Sequence, residues 1–228
     1  MLRLLLGIII GVALSASVYG IVHAYRVALS TPHETAGPMP PDYPGIHAAI
    51  LEQEERDPPQ VVFLGDSITD FWRTVPWVWQ EDFGKFHPCN AGIAWDRIQH
   101  VQWRIEHGEI DCKPKVIVLL IGTNNIAFER GSPEDVAFNI RFLSRLIHKK
   151  SPDSKILIVG LLPRRDEFAG EIPKCNLALK SMADDFSVYT DPGAQLVTKD
   201  FADPVHLSPI GLKHLADLLV PEIEQLNR

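Results

Sequence analysis

Three stretches of the chain are continuous runs of apolar residues rich in β-branched side chains. They cover residues 61–65, 115–122 and 155–160. Runs of this kind are typical of strands that are covered on both faces, as in a parallel sheet. Residues 86–93 and 186–191 are weaker strand candidates. The pattern therefore predicts five strands.

Segments with helical periodicity separate the strands. The clearest begins with Ser132 as N-cap and Pro133 in the first turn, followed by two acidic residues, and all of these favour a helix N-terminus. Residues 96–108 and 209–223 form two other well-marked helices, and residues 46–57 a shorter one. Strands that alternate with helices predict a three-layer α/β/α sandwich around a mostly parallel five-stranded sheet. The apolar stripe of the clearest helix consists of Val136, Ile140, Leu143 and Ile147.

The N-terminal region has a different pattern, because residues 4–22 are uncharged and almost entirely apolar. About 20 apolar residues are needed to cross a bilayer core, so this run predicts a hydrophobic N-terminal helix that anchors the chain in a membrane. A cleaved secretory signal is the alternative. Residues 1–30 are thus predicted to be a signal anchor or signal peptide, residues 31–45 a proline-rich spacer and residues 46–228 one globular domain.

The composition excludes several classes of protein. The 228 residues are 46% hydrophobic and 22% charged, which argues against disorder over most of the length. There are 22 Lys and Arg against 29 Asp and Glu, with no basic run, so we expect no nucleic-acid partner. Cys89, Cys112 and Cys175 are too few for a disulfide scaffold. One pair could form a disulfide in an oxidising compartment, and the sequence does not select the pair.

Polar residues follow the predicted strands, at the edge where open α/β sheets place functional groups. Ser67 comes directly after Gly65 and Asp66 at the start of a helix, where free backbone N–H groups can face an oxyanion. The alternative is that Asp66 or Ser67 merely caps this helix. Gly92 could donate a backbone N–H and Asn124 a side-chain amide, although a tight turn and an ordinary loop asparagine are equally simple interpretations.

A serine nucleophile needs a base that takes its proton and a third group that orients this base. Asp203 lies three residues before His206, so its carboxylate can accept the Nδ1 proton and leave Nε2 facing outward. Asp203 before Pro204 is also a common turn former. The Asp-x-x-His spacing alone is therefore a weak signal.

The order and spacing of these motifs resemble the SGNH (GDSL-type) hydrolases, which carry Ser, Gly, Asn and His in four separate blocks. The corresponding blocks are GDSIT, NAGIAWD, GTNN and DPVHLSPIG. The segments VVFLGDSIT, KPKVIVLLIGTNN and KILIVGLLPR look most like the catalytic subunits of intracellular platelet-activating-factor acetylhydrolase and their bacterial relatives. The resemblance runs from about residue 46 to residue 223 and implies the flavodoxin-like fold of this family.

The resemblance implies a serine esterase with Ser67, His206 and Asp203 as a catalytic triad. The Ser67 and Gly92 N–H groups and the Asn124 amide would form the oxyanion hole. Short acyl esters of small molecules or glycans, such as O-acetyl groups, are the expected substrates. Hydrolysis of lysophospholipids or thioesters, acyl transfer to an envelope glycan and a non-catalytic tethered binding module are the alternatives.

The same resemblance implies no metal or organic cofactor, and the chain lacks H-E-x-x-H, Walker A and G-x-G-x-x-G signatures. Together with the apolar N-terminal segment, the resemblance implies a periplasmic domain that is anchored in a bacterial inner membrane, or a domain that is exported after signal cleavage. The oligomeric state is left open. Near the motifs, we expect Asp96 to cap its helix, Arg164 to be a solvated loop residue and Trp95 to be a core or rim aromatic that could line the pocket.

Overall fold

Five parallel strands form the centre of the computed structural model, which describes residues 42–129 and 131–228. They lie in the order β2-β1-β3-β4-β5, and every neighbouring pair is parallel. The predicted five-stranded sheet is therefore confirmed, and this order is that of flavodoxin-like folds. The strands are β1 (Val61–Gly65), β2 (Pro88–Gly92), β3 (Val116–Leu120), β4 (Lys155–Val159) and β5 (Ser187–Thr190).

Eight α-helices accompany the sheet in the described part of the chain. They are α1 (Tyr43–Arg56), α2 (Ser67–Asp70), α3 (Pro76–Val78), α4 (Ile98–Glu106), α5 (Thr123–Glu129), α6 (Pro133–Lys150), α7 (Glu171–Ser181) and α8 (Pro209–Leu226). Helix α6 begins as predicted, because the Ser132 hydroxyl accepts a hydrogen bond from the Asp135 N–H at 3.1 Å. Helix α1 begins earlier than predicted, so residues 43–45 are helical rather than part of an extended spacer.

Both faces of the sheet are covered, which explains why the strands are continuously apolar. Val62 and Leu64 of β1 lie in one core with residues of helices α1, α4, α6 and α7. The alternate residues Val61 and Phe63 lie in the other core with residues of α8 and the segment 72–86. This arrangement leaves the carboxyl ends of the strands as the edge on which loops can carry polar side chains.

The predicted membrane segment, residues 4–22, lies outside the described residues, as do the whole of residues 1–30 and most of the spacer. Within residues 42–129 and 131–228, no helix has the length and apolar character needed to cross a bilayer. The anchor therefore stays a prediction. Cys89, Cys112 and Cys175 are free thiols, and Cys89 and Cys175 are buried.

Candidate active site

The first site residue stands where β1 passes into α2. Asp66 is the N-cap of α2, and its Oδ1 accepts a hydrogen bond from the Ile68 N–H at 3.0 Å, so the helix begins directly at Ser67. Gly65 is required before it, because a Cβ there would collide with the Leu120 carbonyl oxygen of β3. Burial raises the pKa of Asp66 to about 7. Both interpretations of this motif therefore apply: Asp66 caps the helix, and Ser67 faces outward from its first turn.

Ser67, His206 and Asp203 form a continuous hydrogen-bonded chain. The Ser67 Oγ lies 2.8 Å from His206 Nε2, and His206 Nδ1 lies 2.7 Å from Asp203 Oδ2. The other Asp203 oxygen accepts the backbone N–H groups of Val205 and His206, each at 2.7 Å. Partial burial acts in the opposite direction, but these N–H groups and the His206 ring hold the pKa of Asp203 below its usual range. An ionised Asp203 accepts the Nδ1 proton, which leaves Nε2 to accept the hydroxyl proton of Ser67.

Phe71 contacts the histidine of this chain and was missed by the sequence analysis. Its ring stacks on the His206 ring, with centroids 4.6 Å apart and 17° between the planes. The Phe71 N–H donates to the Ser67 carbonyl oxygen, so the two residues stand four apart on one helical turn. Because residues at this spacing share a helix face, a helical projection from Ser67 could have identified Phe71.

Asn124 lies in the first turn of α5, directly after β3. Its Nδ2 donates one hydrogen bond to the Asp96 carbonyl oxygen at 2.9 Å. Since an amide nitrogen carries two hydrogens, the second stays available for a ligand. Asn124 lines the same pocket as Ser67 and His206.

Gly92 takes a different position from the one expected of an oxyanion donor. Its N–H donates to Asn90 Oδ1 at 2.9 Å, and it does not line the pocket. A Cβ at this position would collide with the Asp70 backbone nitrogen and lie 2.7 Å from the Thr69 carbonyl carbon. The glycine is therefore needed so that the end of β2 can pack against α2.

A pocket of about 370 Å³ opens beside Ser67. Its walls come from the segments that follow all five strands, at the carboxyl edge of the sheet where the sequence predicts the site. Part of the wall is polar and part aromatic. The polar side chains include Ser67, Asn124 and His206, and the aromatic rings are Phe71, Trp95 and Phe128.

Arg164 also lines this pocket, and the expectation of a solvated loop arginine is wrong. Only 7% of its side-chain surface is exposed. Its Nη1 donates to Thr123 Oγ1 at 2.8 Å, and its Nε donates to both carboxylate oxygens of Asp166 at 3.1 Å. Arg164 thereby holds the pKa of Asp166 below its usual range and joins the loop after β4 to helix α5.

A buried charged cluster of Asp96, Arg104 and Glu109 lies behind the pocket. The expectation that Asp96 caps its helix is wrong, because α4 begins at Ile98 with Arg97 as its N-cap. Asp96 Oδ2 instead accepts a hydrogen bond from Arg104 Nη2 at 2.7 Å. Arg104 has no exposed surface, and its Nη1 also donates to Glu109 Oε2. A buried guanidinium requires such partners, so Asp96 is drawn inward and its carbonyl oxygen meets Asn124.

No three His, Cys, Asp or Glu side chains among the described residues are grouped as metal ligands. The groups that line the pocket include the serine hydroxyl, the histidine ring and the Asn124 amide. In general terms, this set can transfer an acyl group from an ester to serine and then to water.

Comparisons with known proteins agree with this chemistry. A model of the GDSL-like lipase/acylhydrolase family matches residues 63–213. Human platelet-activating factor acetylhydrolase IB subunit alpha2 is 38% identical over 119 residues, which are 52% of this chain and 50% of that protein. The chain thus spans about half the length of that curated relative.

Two solved structures share the fold. A GDSL-like lipase from Bacteroides thetaiotaomicron has a TM-score of 0.67 at 20% identity, covering 80% of this chain and 96% of that one. A carbohydrate esterase family 3 protein from Talaromyces cellulolyticus has a TM-score of 0.61 at 20% identity, covering 73% and 97%. At these identities the likeness establishes the fold alone.

Proposed function

The chain belongs to the GDSL-like lipase/acylhydrolase family, and from this premise we propose that it is a serine hydrolase of carboxylic esters. The observation that carries the proposal is the hydrogen-bonded chain from Ser67 through His206 to Asp203 beside an open pocket. In this proposal Ser67 is the nucleophile, His206 the general base and acid, and Asp203 the group that orients the histidine.

The first half-reaction forms an acyl-enzyme. His206 Nε2 takes the proton of the Ser67 hydroxyl while Oγ bonds to the ester carbonyl carbon. The tetrahedral intermediate then collapses, the carbon–oxygen bond to the alcohol breaks, and the alcohol leaves with the proton from His206. In the second half-reaction, water loses a proton to His206, attacks the acyl carbon and releases the acid. Ser67 recovers its proton, so the enzyme returns to its starting state.

The oxyanion that forms in each half-reaction needs donors near Ser67. We assign the Ser67 N–H, which lies in the first turn of α2 without an intrahelical partner, and the second hydrogen of the Asn124 amide. The predicted donor Gly92 is not retained in this assignment, because its N–H is bonded to Asn90.

The pocket supports a short acyl ester as substrate. Its volume of about 370 Å³ is near the lower end of the range for small-molecule sites. A relative named as an acetylhydrolase points in the same direction. The location of the domain outside the cytoplasm, predicted from residues 1–30, belongs to the proposal and does not affect the chemistry.

The test compares the full chain with its Ser67→Ala variant on p-nitrophenyl esters from acetate to palmitate. Ser181→Ala is the matched control, because Ser181 is exposed on α7 and bonds only to the Ala178 carbonyl oxygen. We expect hydrolysis that falls steeply beyond butyrate, is lost in Ser67→Ala and is unchanged in Ser181→Ala. Equal rates in all three proteins, or no hydrolysis in any, would refute the proposal. A rate maximum at long acyl chains would assign the site to lipid esters instead.

A further inference from the structure

Trp95 has a backbone conformation that its side chain does not explain. Its φ is +71°, and it is the third residue of a turn closed by the Asp96 N–H and the Ile93 carbonyl oxygen at 3.2 Å. Glycine is the usual residue at a positive φ in such a turn, and a bulky side chain is strained there. Burial does not compensate the strain, because 44% of Trp95 is exposed. A strained backbone at the rim of a pocket marks Trp95 as a candidate functional position, and its exposed ring is accessible to a ligand.

Phe128 supplies a second exposed ring beside it. Phe128 is 49% exposed, and its ring centroid lies 5.6 Å from that of Trp95, with 59° between the planes. It stands four residues after Asn124 on α5, so its ring projects toward the same pocket as the proposed oxyanion donor. We call Trp95 and Phe128 the aromatic corner. The turn after β2 and helix α5 thus bring exposed rings to the rim beside Ser67.

The charges around the corner restrict what it can bind. The guanidinium of Arg164 lies in the pocket wall, but its donors are engaged by Asp166 and Thr123. Its charge is therefore already paired with Asp166, which weakens its attraction for a phosphate or a carboxylate. The walls combine the polar groups of Asn124 and Ser67 with the apolar surface of the aromatic rings. A neutral ligand with a flat apolar face and polar edges fits these surroundings.

We propose that the aromatic corner binds the neutral sugar ring in the alcohol half of the ester. The apolar C–H face of a pyranose would lie against Trp95 or Phe128, while its hydroxyl groups would face the polar side of the pocket and solvent. The acyl group would then point past Ser67 toward Asn124. The inference rests on the proposed function and makes the protein a carbohydrate deacetylase.

The experiment uses the full chain and two acetate esters, a mono-O-acetylated methyl pyranoside and ethyl acetate. The variants are Trp95→Gly, which suits the positive φ, and Phe128→Ala. Trp77→Ala is the matched control, because Trp77 is 55% exposed on α3 and does not line the pocket. We expect the ratio of kcat/KM for the pyranoside to that for ethyl acetate to fall about two- to tenfold in each pocket variant, mainly through KM. Trp95→Phe should recover part of the loss, and Trp77→Ala should not change the ratio.

Each other outcome has its own meaning. A protein that hydrolyses ethyl acetate but not the pyranoside, or variants that lower both rates in proportion, would overturn this inference and leave the proposed function intact. A selective loss on octanoate esters would assign the corner to an acyl chain and also overturn it. If neither acetate is hydrolysed, the proposed function fails. Calorimetry then tests the inference separately, by titrating the pyranoside into Ser67→Ala with and without the Trp95→Gly substitution. No binding to Ser67→Ala, or equal binding to both proteins, contradicts the inference.

Discussion

Replacing Arg104 by methionine should destabilise the domain strongly. Arg104 has no exposed surface, and it donates to Asp96, to Glu109 and to the Ala91 carbonyl oxygen at 3.0 Å. Burial by itself would disfavour its charge, yet Glu109 and Asp96 raise the pKa of Arg104 above its usual value, so it is positive at every ordinary pH. Methionine keeps much of the apolar stem but leaves both carboxyl groups without the guanidinium.

The two carboxyl groups respond differently to this loss. Burial raises the pKa of Asp96 to about 7, so it can take up a proton at modest cost once Arg104 is absent. Burial also acts to raise the pKa of Glu109, but Arg104 and His47 hold it below its usual range. After the substitution, Glu109 retains the hydrogen bond between its Oε1 and His47 Nδ1 at 2.9 Å but no guanidinium. The main cost is therefore the unpaired Glu109.

Removing one partner of a buried ion pair costs about 3–5 kcal/mol. For a domain of this size, each kcal/mol shifts the melting temperature by about 2–4 °C, so we expect Arg104→Met to melt roughly 6–20 °C lower at pH 8. The loss should be smaller at pH 5, because unpaired carboxyl groups with raised pKa values are then protonated.

Thermal unfolding of the full chain at both pH values measures the effect. Arg145→Met is the matched control, because Arg145 is exposed on α6, and it should change the free energy of unfolding by less than about 0.5 kcal/mol. Adding Asp96→Asn and Glu109→Gln to Arg104→Met should recover part of the stability, since no charge is then left unpaired. A melting temperature for Arg104→Met within about 2 °C of the unchanged protein would show that the cluster makes no net contribution, and would refute the reasoning.

Three further outcomes follow from the site. Asn124→Ala should fold and lose roughly 10²–10³ in kcat, and an unchanged kcat on p-nitrophenyl acetate would exclude its amide from the oxyanion hole. Gly92→Ala should lower the free energy of unfolding by about 1–3 kcal/mol in urea, because the added Cβ meets the Asp70 backbone nitrogen; full stability would contradict this packing. Folding raises the pKa of Asp66 from 3.8 to about 7, so its protonated form stabilises the fold at low pH, and this contribution is lost as pH rises through about 7. Asp66→Asn keeps an acceptor for the Ile68 N–H. The free energy of unfolding of this variant, relative to that of the unchanged protein, should therefore be greater at pH 8 than at pH 5. The same difference at both pH values would contradict the raised pKa of Asp66.

Several features of the fold and site were predictable because they depend on neighbours in the chain. The continuous apolar runs predicted the strands, since a strand covered on both faces has no polar side. The cap at Ser132 and the Asp203–His206 spacing are contacts over three residues. The pairing of Ser67 with His206, 139 residues away, came from the resemblance of four ordered motifs.

The failures of sequence reasoning share one cause, which is that burial is decided by distant segments. Asp96 resembles a helix cap locally, but Arg104 and the packing around it draw its carboxylate inward. Arg164 resembles a solvated loop residue, yet Thr123, 41 residues earlier, accepts its hydrogen bond. The motif around Gly92 suggests an oxyanion donor, but the close packing of α2 against the end of β2 is what requires a glycine there.

By itself, therefore, the sequence determined the strands, the starts of α6 and α8 and the candidate residues Ser67, Asp203 and His206, because each depends on periodicity, capping or an ordered motif. Only the tertiary structure decided which side chains surround them. The stack of Phe71 on His206 and the hydrogen bond from Asn124 to the Asp96 carbonyl oxygen join segments that are separated in the chain. Local sequence patterns indicate which backbone conformations are favourable. The solvent exposure and the contacts of a side chain, in contrast, are properties of the assembled fold.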